Sequence, residues 1–340
     1  MPLRCLDVVG ESLHAFSIPP DLWNEIAAGN RVRRDLRMPC CNARVSLKRS
    51  ALGLQFFAHV GRGGCATGDE SPEHLMLKQI AVDAARVRGW HAETEVAAAD
   101  GSWRADVLAT RGRARVAVEV QWSPQDDAET LRRQAQYAAA GVRGLWLFRQ
   151  RGFPVSAGVP ALRVAGSVGR GFTALGRDVA SVLDAAFAGR LSFGLPAGEI
   201  AEVRVTGGVV QCWGRECGAL TQVVARLDLR NGASQCALRV EDLPLTAAST
   251  RALVAALPRS DMIGRVRARR SGGTGLAMTN GCFRCDRVLD TARVEATTHA
   301  PLTTLTLTID ADLATVVAAC PDAVLAWGIA DRVAPSRGVG

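Results

Sequence analysis

Two acidic residues lie at matching places in neighbouring strand-like runs of the chain. Asp106 falls in the run at residues 104–108, and Glu119 falls, thirteen positions later, in the run at residues 116–121. Because side chains alternate across a strand, Glu119 and Gln121 share one face. Two carboxylates and one amide can therefore converge, and carboxylate oxygens are what Mg²⁺ accepts, commonly together with phosphate. In the alternative interpretation, Asp106 ends a strand and Glu119 forms an ion pair with an arginine.

The elements that position these residues alternate between helix and strand patterns from about residue 71 to 190. Ser71-Pro72 predicts a helix start, because serine caps helices and proline is tolerated at the first helical position. That helix runs to about Arg88, before Gly89. We expect strands at about 91–97, 102–109, 114–122 and 145–148, and further helices at about 126–140 and 176–188. The order αβββαβα predicts an α/β (α+β) domain with a mixed sheet flanked by helices.

Further polar side chains lie on the first two predicted helices. On the first, His74 and Lys78 are four residues apart and share a face. Arg133 and Tyr137 have the same spacing on the second helix, and together their guanidinium and phenol groups suit a phosphate backbone. Alternatively, the first pair lies on a solvated face and the second forms an ordinary amphipathic edge.

The charge of the chain is compatible with a polyanionic partner. Lysine contributes only Lys48 and Lys78 to the 41 basic residues, and the net charge is +8. Arginine suits phosphate oxygens and the charge favours DNA, although a GC-rich coding genome explains the arginine bias equally well. The sequence has neither an apolar run of about 18 residues nor a signal peptide. We therefore expect a cytoplasmic protein without membrane contact.

The ten cysteines are then better interpreted as metal ligands or buried thiols than as disulfides. Two pairs lie on predicted turns beside strand-like runs: Cys212 with Cys217, and Cys282 with Cys285. This is the plan of a zinc ribbon, and it predicts a β-rich zinc-ribbon-like region at residues 198–340. The alternative is four reduced cysteines in a β core. Three further cysteines are expected to be buried thiols: Cys5, Cys236 and Cys320.

The acidic pair resembles the core of PD-(D/E)xK nucleases, in which an Asp and a Glu-x-Lys pair on adjacent strands hold the catalytic metal. Here Gln121 occupies the lysine position. Over roughly residues 55–150 the chain more specifically resembles the CoiA-like competence protein family, in which the third position is usually Gln followed by x-Ser. The residues that carry this resemblance are Ser71-Pro72-Glu73-His74, Lys78, Glu95, Arg104-Ala105-Asp106-Val107, Val118-Glu119-Val120-Gln121-Trp122-Ser123, Arg133 and Tyr137.

The family carries a nuclease-like domain between two cysteine-containing regions, which implies an N-terminal zinc-finger-like region at residues 1–70 and a nuclease-like domain at residues 71–190. Members typically show C-P-x-C followed by F-A-H. Here Phe57-Ala58-His59 is present, but Met38 takes the first cysteine position. A zinc ion would have to use Cys41 (or Cys40), His59 and Cys65, with a fourth ligand undefined. The alternative is a degenerate finger held by its apolar core.

The resemblance implies a restriction-endonuclease-like core and a metal-dependent DNA phosphodiesterase related to competence or recombination. Asp106 and Glu119 would hold Mg²⁺ or Mn²⁺, which polarises the scissile phosphate and lowers the pKa of a water. Lys78 would offset developing charge. Gln121 would orient the water, and His74 would act as a proton donor or outer ligand.

The partner implied by the resemblance is DNA, with recombination proteins as further candidates. Arg104, Arg133 and Tyr137 would position its backbone. A non-catalytic DNA-binding or recombination adaptor protein is the alternative, which Gln121 in the lysine position favours. A host-defence or mobile-element nuclease with the same core is a third interpretation. The sequence does not distinguish single-stranded from duplex DNA.

Overall fold

The computed structural model describes residues 2–39, 41–50, 53–61, 70–258, 262–270 and 275–330. The chain forms two compact units, residues 1–189 and residues 190–340. Residues 1–70 thus belong to the same unit as the nuclease-like segment, and the boundary between these two regions stays a prediction. None of the helices in the described ranges combines the length and the apolar character that a membrane crossing requires.

The N-terminal part of the first unit combines two β-hairpins with a helix. Its elements are β1 (Arg4–Leu6), β2 (Ser12–His14), α1 (Pro20–Arg33), β3 (Val45–Arg49) and β4 (Gln55–His59). Helix α1 was not predicted from the sequence. Pro20 at its first position and Asp21 in its first turn are the signals that mark it. Trp23 and Phe57 pack together in the core of this part, which Leu75 of the following helix completes.

The remainder of the first unit contains the sheet that carries the acidic residues. Its elements are α2 (Pro72–Val87), β5 (His91–Ala97), β6 (Arg104–Arg111), β7 (Ala114–Gln121), α3 (Asp127–Ala139), β8 (Arg143–Phe148), β9 (Ala161–Ser167), β10 (Gly171–Ala174), β11 (Arg177–Asp178) and α4 (Val179–Phe187). The predicted order is confirmed through β8. Strands β9 to β11 were not predicted, and the last helix begins at Val179 because residues 177–178 form a strand.

The seven strands form one mixed sheet in the order β11-β10-β9-β8-β7-β6-β5. Strands β5, β6 and β7 are antiparallel neighbours, whereas β7, β8 and β9 run parallel. The mixed sheet predicted from sequence is therefore confirmed. Strand β8 is buried from Gly144 to Phe148 without alternation, as expected for a parallel strand that is covered on both faces.

The second unit is rich in β-structure. Its elements are β12 (Leu191–Phe193), β13 (Ile200–Gln211), β14 (Leu220–Asn231), β15 (Ser234–Leu238), α5 (Ala248–Ala256), β16 (Arg265–Arg270), β17 (Leu276–Gly281), α6 (Thr291–Glu295), β18 (Ala300–Thr308), α7 (Ala311–Ala319) and β19 (Trp327–Ile329). A four-stranded antiparallel sheet in the order β15-β14-β13-β18 is accompanied by the β16-β17 hairpin and by a β12-β19 pair.

Candidate functional site

The antiparallel ladder between β6 and β7 ends beside the two acidic residues. Its last pair is Val107 with Val118, although both strands continue beyond it. Asp106 and Glu119 are the next residues along the two strands. Side chains then satisfy backbone groups at this end of the ladder: Asp106 Oδ2 accepts the N–H of Val120 at 2.9 Å, and the Arg104 carbonyl accepts the Tyr137 hydroxyl at 2.9 Å.

Asp106 faces helix α2. His74 Nε2 donates to Asp106 Oδ2 at 3.2 Å, and His74 Nδ1 lies 4.0 Å from Glu70 Oε1. One ligand atom from each of Glu70, His74 and Asp106 lies within 4.8 Å of the others. Two carboxylates and one imidazole therefore form a group that can hold a metal ion. Glu70 directly precedes Ser71, whose hydroxyl caps α2 by accepting the His74 N–H at 3.3 Å.

Lys78 is fully buried next to this group. Its Nζ lies 2.9 Å from Glu70 Oε1 and 3.9 Å from Asp106 Oδ1, and it also bonds to Glu95. A buried ammonium is tolerated only where opposite charges and hydrogen bonds compensate its lost hydration. His74 and Lys78 thus lie on the face of α2 that is directed toward Asp106. We call Glu70, His74, Lys78, Glu95 and Asp106 the Lys78 cluster.

Glu95 reaches Lys78 through an irregularity in strand β5. Thr94 pairs with Val107 and Val96 pairs with Ala105, but the ladder omits the pair between them. Glu95 there has a φ of 58°, a left-handed conformation that costs a non-glycine residue roughly 1–3 kcal/mol and is concentrated at functional sites. Its other carboxylate oxygen accepts from Arg104. The strained backbone therefore directs Glu95 to both Lys78 and Arg104.

The charges of the Lys78 cluster keep Asp106 ionised. Burial alone would raise the pKa of Asp106, but the Lys78 ammonium, the hydrogen bond and charge of His74, and the Val120 amide outweigh it. The pKa of Asp106 is consequently held well below its usual value. Asp106 therefore remains a carboxylate throughout the neutral range.

Glu119 has different neighbours. Its buried carboxylate accepts from Arg133 and from the Tyr137 hydroxyl. Burial, together with the charge of Asp106, raises the pKa of Glu119 to about 8, and the contacts with Arg133 and Tyr137 only partly offset this rise. The ion pair with Arg133 matches the alternative interpretation of Glu119. Its role as a metal ligand stays a prediction.

Arg104 connects Glu119 and its partners to the Lys78 cluster. Its guanidinium bonds to Glu95, and its carbonyl accepts from Tyr137 and from Arg133, the latter at 3.2 Å. Tyr137 is completely buried against Trp103. Its hydroxyl forms hydrogen bonds with Glu119 and with the Arg104 carbonyl. Gln121 ends β7 as a half-buried residue.

A cleft of about 660 Å³ opens beside the Lys78 cluster. Its volume lies within the range of ligand-binding clefts. Carboxylates and guanidinium groups share its walls: Glu70, Glu95, Asp106, Arg104, Arg132 and Arg133. Gln121 does not line the cleft. With Glu129, which bonds to Arg132, the cleft holds four carboxylates beside three guanidinium groups. Such a set is suited to a cation and a phosphate ester together.

Sequence reasoning assigned no role to Glu70 or Glu95, although both belong to the cluster. The spacing of Glu70, four residues before His74 and directly before the capping Ser71, is the signal that could have placed it on the same face. Glu95 is one of the residues that carry the family resemblance, but its contact with Lys78 could not be predicted, because its direction depends on a φ angle that strand alternation does not predict.

In the second unit the four cysteines of the predicted ribbon converge. One ligand atom from each of Cys212, Cys217, Cys282 and Cys285 lies within 4.8 Å of the others. The Sγ atoms of Cys212 and Cys285 are 3.6 Å apart, as are those of Cys217 and Cys282. Zn–S bonds of about 2.3 Å place tetrahedral thiolates about 3.8 Å apart. This group can therefore hold a metal, and its spacing fits zinc.

Backbone amides in both turns are directed at the sulfur atoms. Cys282 receives the amides of Arg284 and Cys285, and Cys212 receives that of Gly214. Burial opposes ionisation of Cys282, but these amides and the hydroxyl of Thr221 lower its pKa to about 6. Such contacts stabilise metal-binding thiolates.

The N-terminal cysteine region is only partly described. Cys41 Sγ lies 3.3 Å from His59 Nε2, which brings two of the three predicted zinc ligands together. Cys65 and Cys40 lie outside the described residues, so the zinc site stays a prediction. Met38, at the first cysteine position of the family pattern, is fully buried in the apolar core. Elsewhere Cys5 and Cys236 are buried as predicted, and Cys320 is half-buried.

Comparison with known proteins supports the resemblance over the central part of the chain. Residues 70–155, about a quarter of the chain, match the family model described as competence protein CoiA, nuclease-like domain. No curated protein and no solved structure matches the chain significantly. The matched range begins at Glu70 and contains the whole Lys78 cluster. Residues 70–155 of the chain thus match the nuclease-like domain of the CoiA-like competence protein family.

Proposed function

We propose that the protein is a metal-dependent phosphodiesterase that acts on DNA and is related to competence or recombination. One observation carries the proposal. In a nuclease-like domain, ligand atoms of Glu70, His74 and Asp106 lie within 4.8 Å of one another, beside a buried lysine. A restriction-endonuclease-like core is part of the proposal and rests on the mixed sheet and on the paired strands that carry Asp106 and Glu119.

The donor set fits a divalent cation. Carboxylate oxygens suit both Mg²⁺ and Mn²⁺, and an imidazole beside them is better suited to Mn²⁺. Asp106 and Glu70 would hold the ion, His74 would be a ligand or orient Asp106, and Glu119 would join after release from Arg133. The bound ion would supply charge stabilisation for the phosphate and a more acidic water.

The protein groups around this site have separate tasks. Lys78 places a permanent positive charge among three carboxylates and would offset negative charge that develops on the phosphate. Glu95 and Glu70 hold that ammonium in place. The role of Gln121 in orienting the attacking water stays a prediction, because its side chain does not line the cleft.

DNA would enter through the cleft. Arg104, Arg132 and Arg133 line it and would contact the phosphate backbone. Tyr137 is buried, so we assign it to positioning Glu119 and Arg104 rather than to contact with DNA. We also propose that the four cysteines of the second unit hold a structural Zn²⁺, because four thiolates leave no open coordination position for chemistry.

A second candidate function is a DNA-binding or recombination adaptor without catalysis. It is favoured by the contacts of the acidic groups, since Lys78 already bonds to Glu95 and lies 3.9 Å from Asp106, while Glu119 is bonded to Arg133 and Tyr137. A site with its charges balanced in this way is stable without a metal. The predicted cytoplasmic location is compatible with either function.

Cleavage by the Asp106→Asn variant tests the proposal. The full chain is incubated with single-stranded and duplex DNA in the presence of Mn²⁺ or Mg²⁺. We expect the variant to lose cleavage by roughly 10²–10³-fold or more, while its DNA affinity stays near wild type. Asp100→Asn is the matched control, because Asp100 is an exposed carboxylate in the β5–β6 turn of the same domain.

The outcomes separate the two candidate functions. Equal cleavage by wild type and Asp106→Asn would refute the assignment of the site. A wild-type protein that cuts neither substrate but retains DNA in a salt-sensitive manner would favour the adaptor.

A further inference from the structure

The second unit carries an aromatic ring on its surface within the first cysteine turn. Trp213 directly follows Cys212, and 53% of its surface is exposed. Its Nε1 donates to the Val288 carbonyl at 2.9 Å, and the Arg287 guanidinium lies 4.9 Å from its ring centroid. The indole is therefore fixed in orientation by the second cysteine turn while its ring remains accessible.

Arginines are frequent in the segments next to this ring. The segment at residues 265–287 contains six arginines and a single aspartate, Asp286. Strand β16 runs beside the second cysteine turn, since Arg265 pairs with Gly281 and both Arg267 and Arg269 bond to Asp286. Each cysteine turn also has an exposed arginine between its cysteines, Arg215 in the first and Arg284 in the second.

These contacts connect the ring and the charges into one surface. Arg287 contacts Trp213 and directly follows Asp286, which forms an ion pair with Arg267 of β16. We call the set the Trp213 surface, and its members are Trp213, Arg215, Arg265, Arg267, Arg284 and Arg287.

We propose that the Trp213 surface binds single-stranded nucleic acid. A fixed, exposed indole is a platform on which an unpaired base stacks, and guanidinium groups around it hold phosphates. Duplex nucleic acid offers no free base face in its interior, so the ring favours a single strand. This surface belongs to the unit that does not contain the cleft, so it is a nucleic-acid contact beyond the proposed catalytic function.

The arginines alone would also attract an acidic peptide, but the ring distinguishes the two partners. A carboxylate-rich chain gains nothing specific from the face of an indole, whose negative quadrupole attracts cations rather than anions. A nucleobase gains stacking area there. The combination therefore favours nucleic acid.

Binding of a labelled oligothymidylate of about 20 nucleotides to the zinc-loaded full chain tests the proposal. The protein carries Asp106→Asn, so that cleavage does not interfere. We expect Trp213→Ala to weaken binding roughly tenfold, the order of one base–aromatic stack, and Trp213→Phe to restore most of the affinity. The loss should be smaller for a duplex of equal length.

The arginines are tested with matched double variants. Arg265→Ala with Arg284→Ala removes two exposed charges from the Trp213 surface, and Arg204→Ala with Arg230→Ala removes two exposed charges from the sheet of the same unit. We expect only the first double variant to weaken binding. It should also lower the slope of log affinity against log salt by about 1.4, at about 0.7 for each phosphate contact.

Several results would overturn the proposal. These are an unchanged affinity of zinc-loaded Trp213→Ala, equal losses for single-stranded and duplex DNA, equal effects of the two double variants, or equally tight binding of polyglutamate. A variant that loses its zinc would give no usable affinity. The wild-type chain is therefore also cross-linked to oligothymidylate with ultraviolet light, and the modified peptide is mapped. A cross-link at Trp213 supports the proposal, and cross-links confined to the first unit contradict it. Neither result depends on whether the cleft cleaves DNA.

Discussion

The two metal-capable sites of this protein differ in what compensates their buried charge. In the first unit, Glu70, His74 and Asp106 lie beside Lys78, a cation that belongs to the protein itself. In the second unit, four cysteines face one another, and the structure shows no ion pair between them and a basic side chain among the described residues. The first site therefore holds a cation of the protein's own before any metal binds, whereas at the second site only a bound ion would compensate thiolates among the described residues.

This difference assigns different roles to the two sites. A site that opens into a cleft and keeps a cation of its own can bind a divalent ion and release it again, as catalysis requires. A site of four thiolates with amides directed at the sulfur atoms offers closed coordination, as structural zinc requires. Removing one ligand should therefore impair activity at the first site and folding at the second.

The largest effect is expected in the second unit. Cys282→Ser should lower the zinc content by about one ion per chain, and it should unfold residues around both cysteine turns, because structural zinc supplies on the order of 10 kcal/mol of folding free energy. Zinc content by mass spectrometry and hydrogen exchange of β13, β14 and β17 measure this. Cys320→Ser is the matched control and should keep its zinc. A wild-type chain without zinc would contradict the assignment.

Replacement of the buried cation is expected to come next. Lys78→Met leaves three carboxylates without their common partner and should reduce the local stability of α2 and β6 by roughly 3–5 kcal/mol. Added Mn²⁺ should restore part of this loss, because it supplies the missing charge. Native-state hydrogen exchange measures both effects.

The other lysine of the chain provides the control for this experiment. Lys48 is exposed on β3, and Lys48→Met should change stability by less than about 0.5 kcal/mol. If Lys78→Met were equally neutral, Lys78 would not be the charge that balances the first site.

The pH dependence of stability should identify Glu119. Its folded-state pKa, about 8, lies above the ordinary value of 4.5, so the folded state holds a proton that the unfolded state releases. Stability therefore falls as pH rises from about 4.5 to 8, by at most about 1.4 kcal/mol per pH unit. Asp106 contributes little slope above about pH 5.5, since its lowered pKa keeps it ionised in the folded state and its ordinary value of 3.8 keeps it ionised in the unfolded state.

Glu119→Gln replaces the titrating carboxyl group with a neutral amide and should flatten the dependence of stability on pH. Between about pH 5.5 and 7.5, without added Mg²⁺ or Mn²⁺, the wild type should lose roughly 1–3 kcal/mol more than the variant. Hydrogen exchange of β7 and α3 at both pH values tests this. Parallel profiles for the two proteins would show that Glu119 is ionised in the folded state.

The smallest effect is expected for Tyr137→Phe. The variant removes the hydroxyl that donates to Glu119 and to the Arg104 carbonyl, while Arg133 still donates to both acceptors. We expect a loss of about 1 kcal/mol, the usual net value of a buried hydrogen bond. Hydrogen exchange of α3 at increasing urea concentrations measures this loss of stability. A loss above roughly 3 kcal/mol would mean that Tyr137 supports more than these contacts.

Sequence reasoning predicted those parts of the structure that follow from local rules. The cap at Ser71-Pro72, the strands around Asp106 and Glu119, and the convergence of the four cysteines depend on caps, alternation and spacing. The structure confirms each of them. The face shared by His74 and Lys78 follows from helical spacing in the same way.

What the sequence did not predict depends on tertiary contacts. The direction of Glu95 results from a left-handed backbone within a strand. The partners of Glu119 are set by the packing of α3, which brings Arg133 and Tyr137 onto a buried carboxylate. Helix α1 was missed because only two of its residues, Trp23 and Asn30, are buried, so it has no clear apolar stripe to reveal it.

Binding of Mn²⁺ to the zinc-loaded chain, measured by electron paramagnetic resonance, tests most directly whether the Lys78 cluster is a divalent-metal site. The account predicts about one Mn²⁺ per chain for the wild type and for Asp100→Asn. It predicts affinity at least roughly tenfold weaker for Asp106→Asn and Glu70→Gln. Equal Mn²⁺ binding by all four proteins, or none by the wild type, would contradict it.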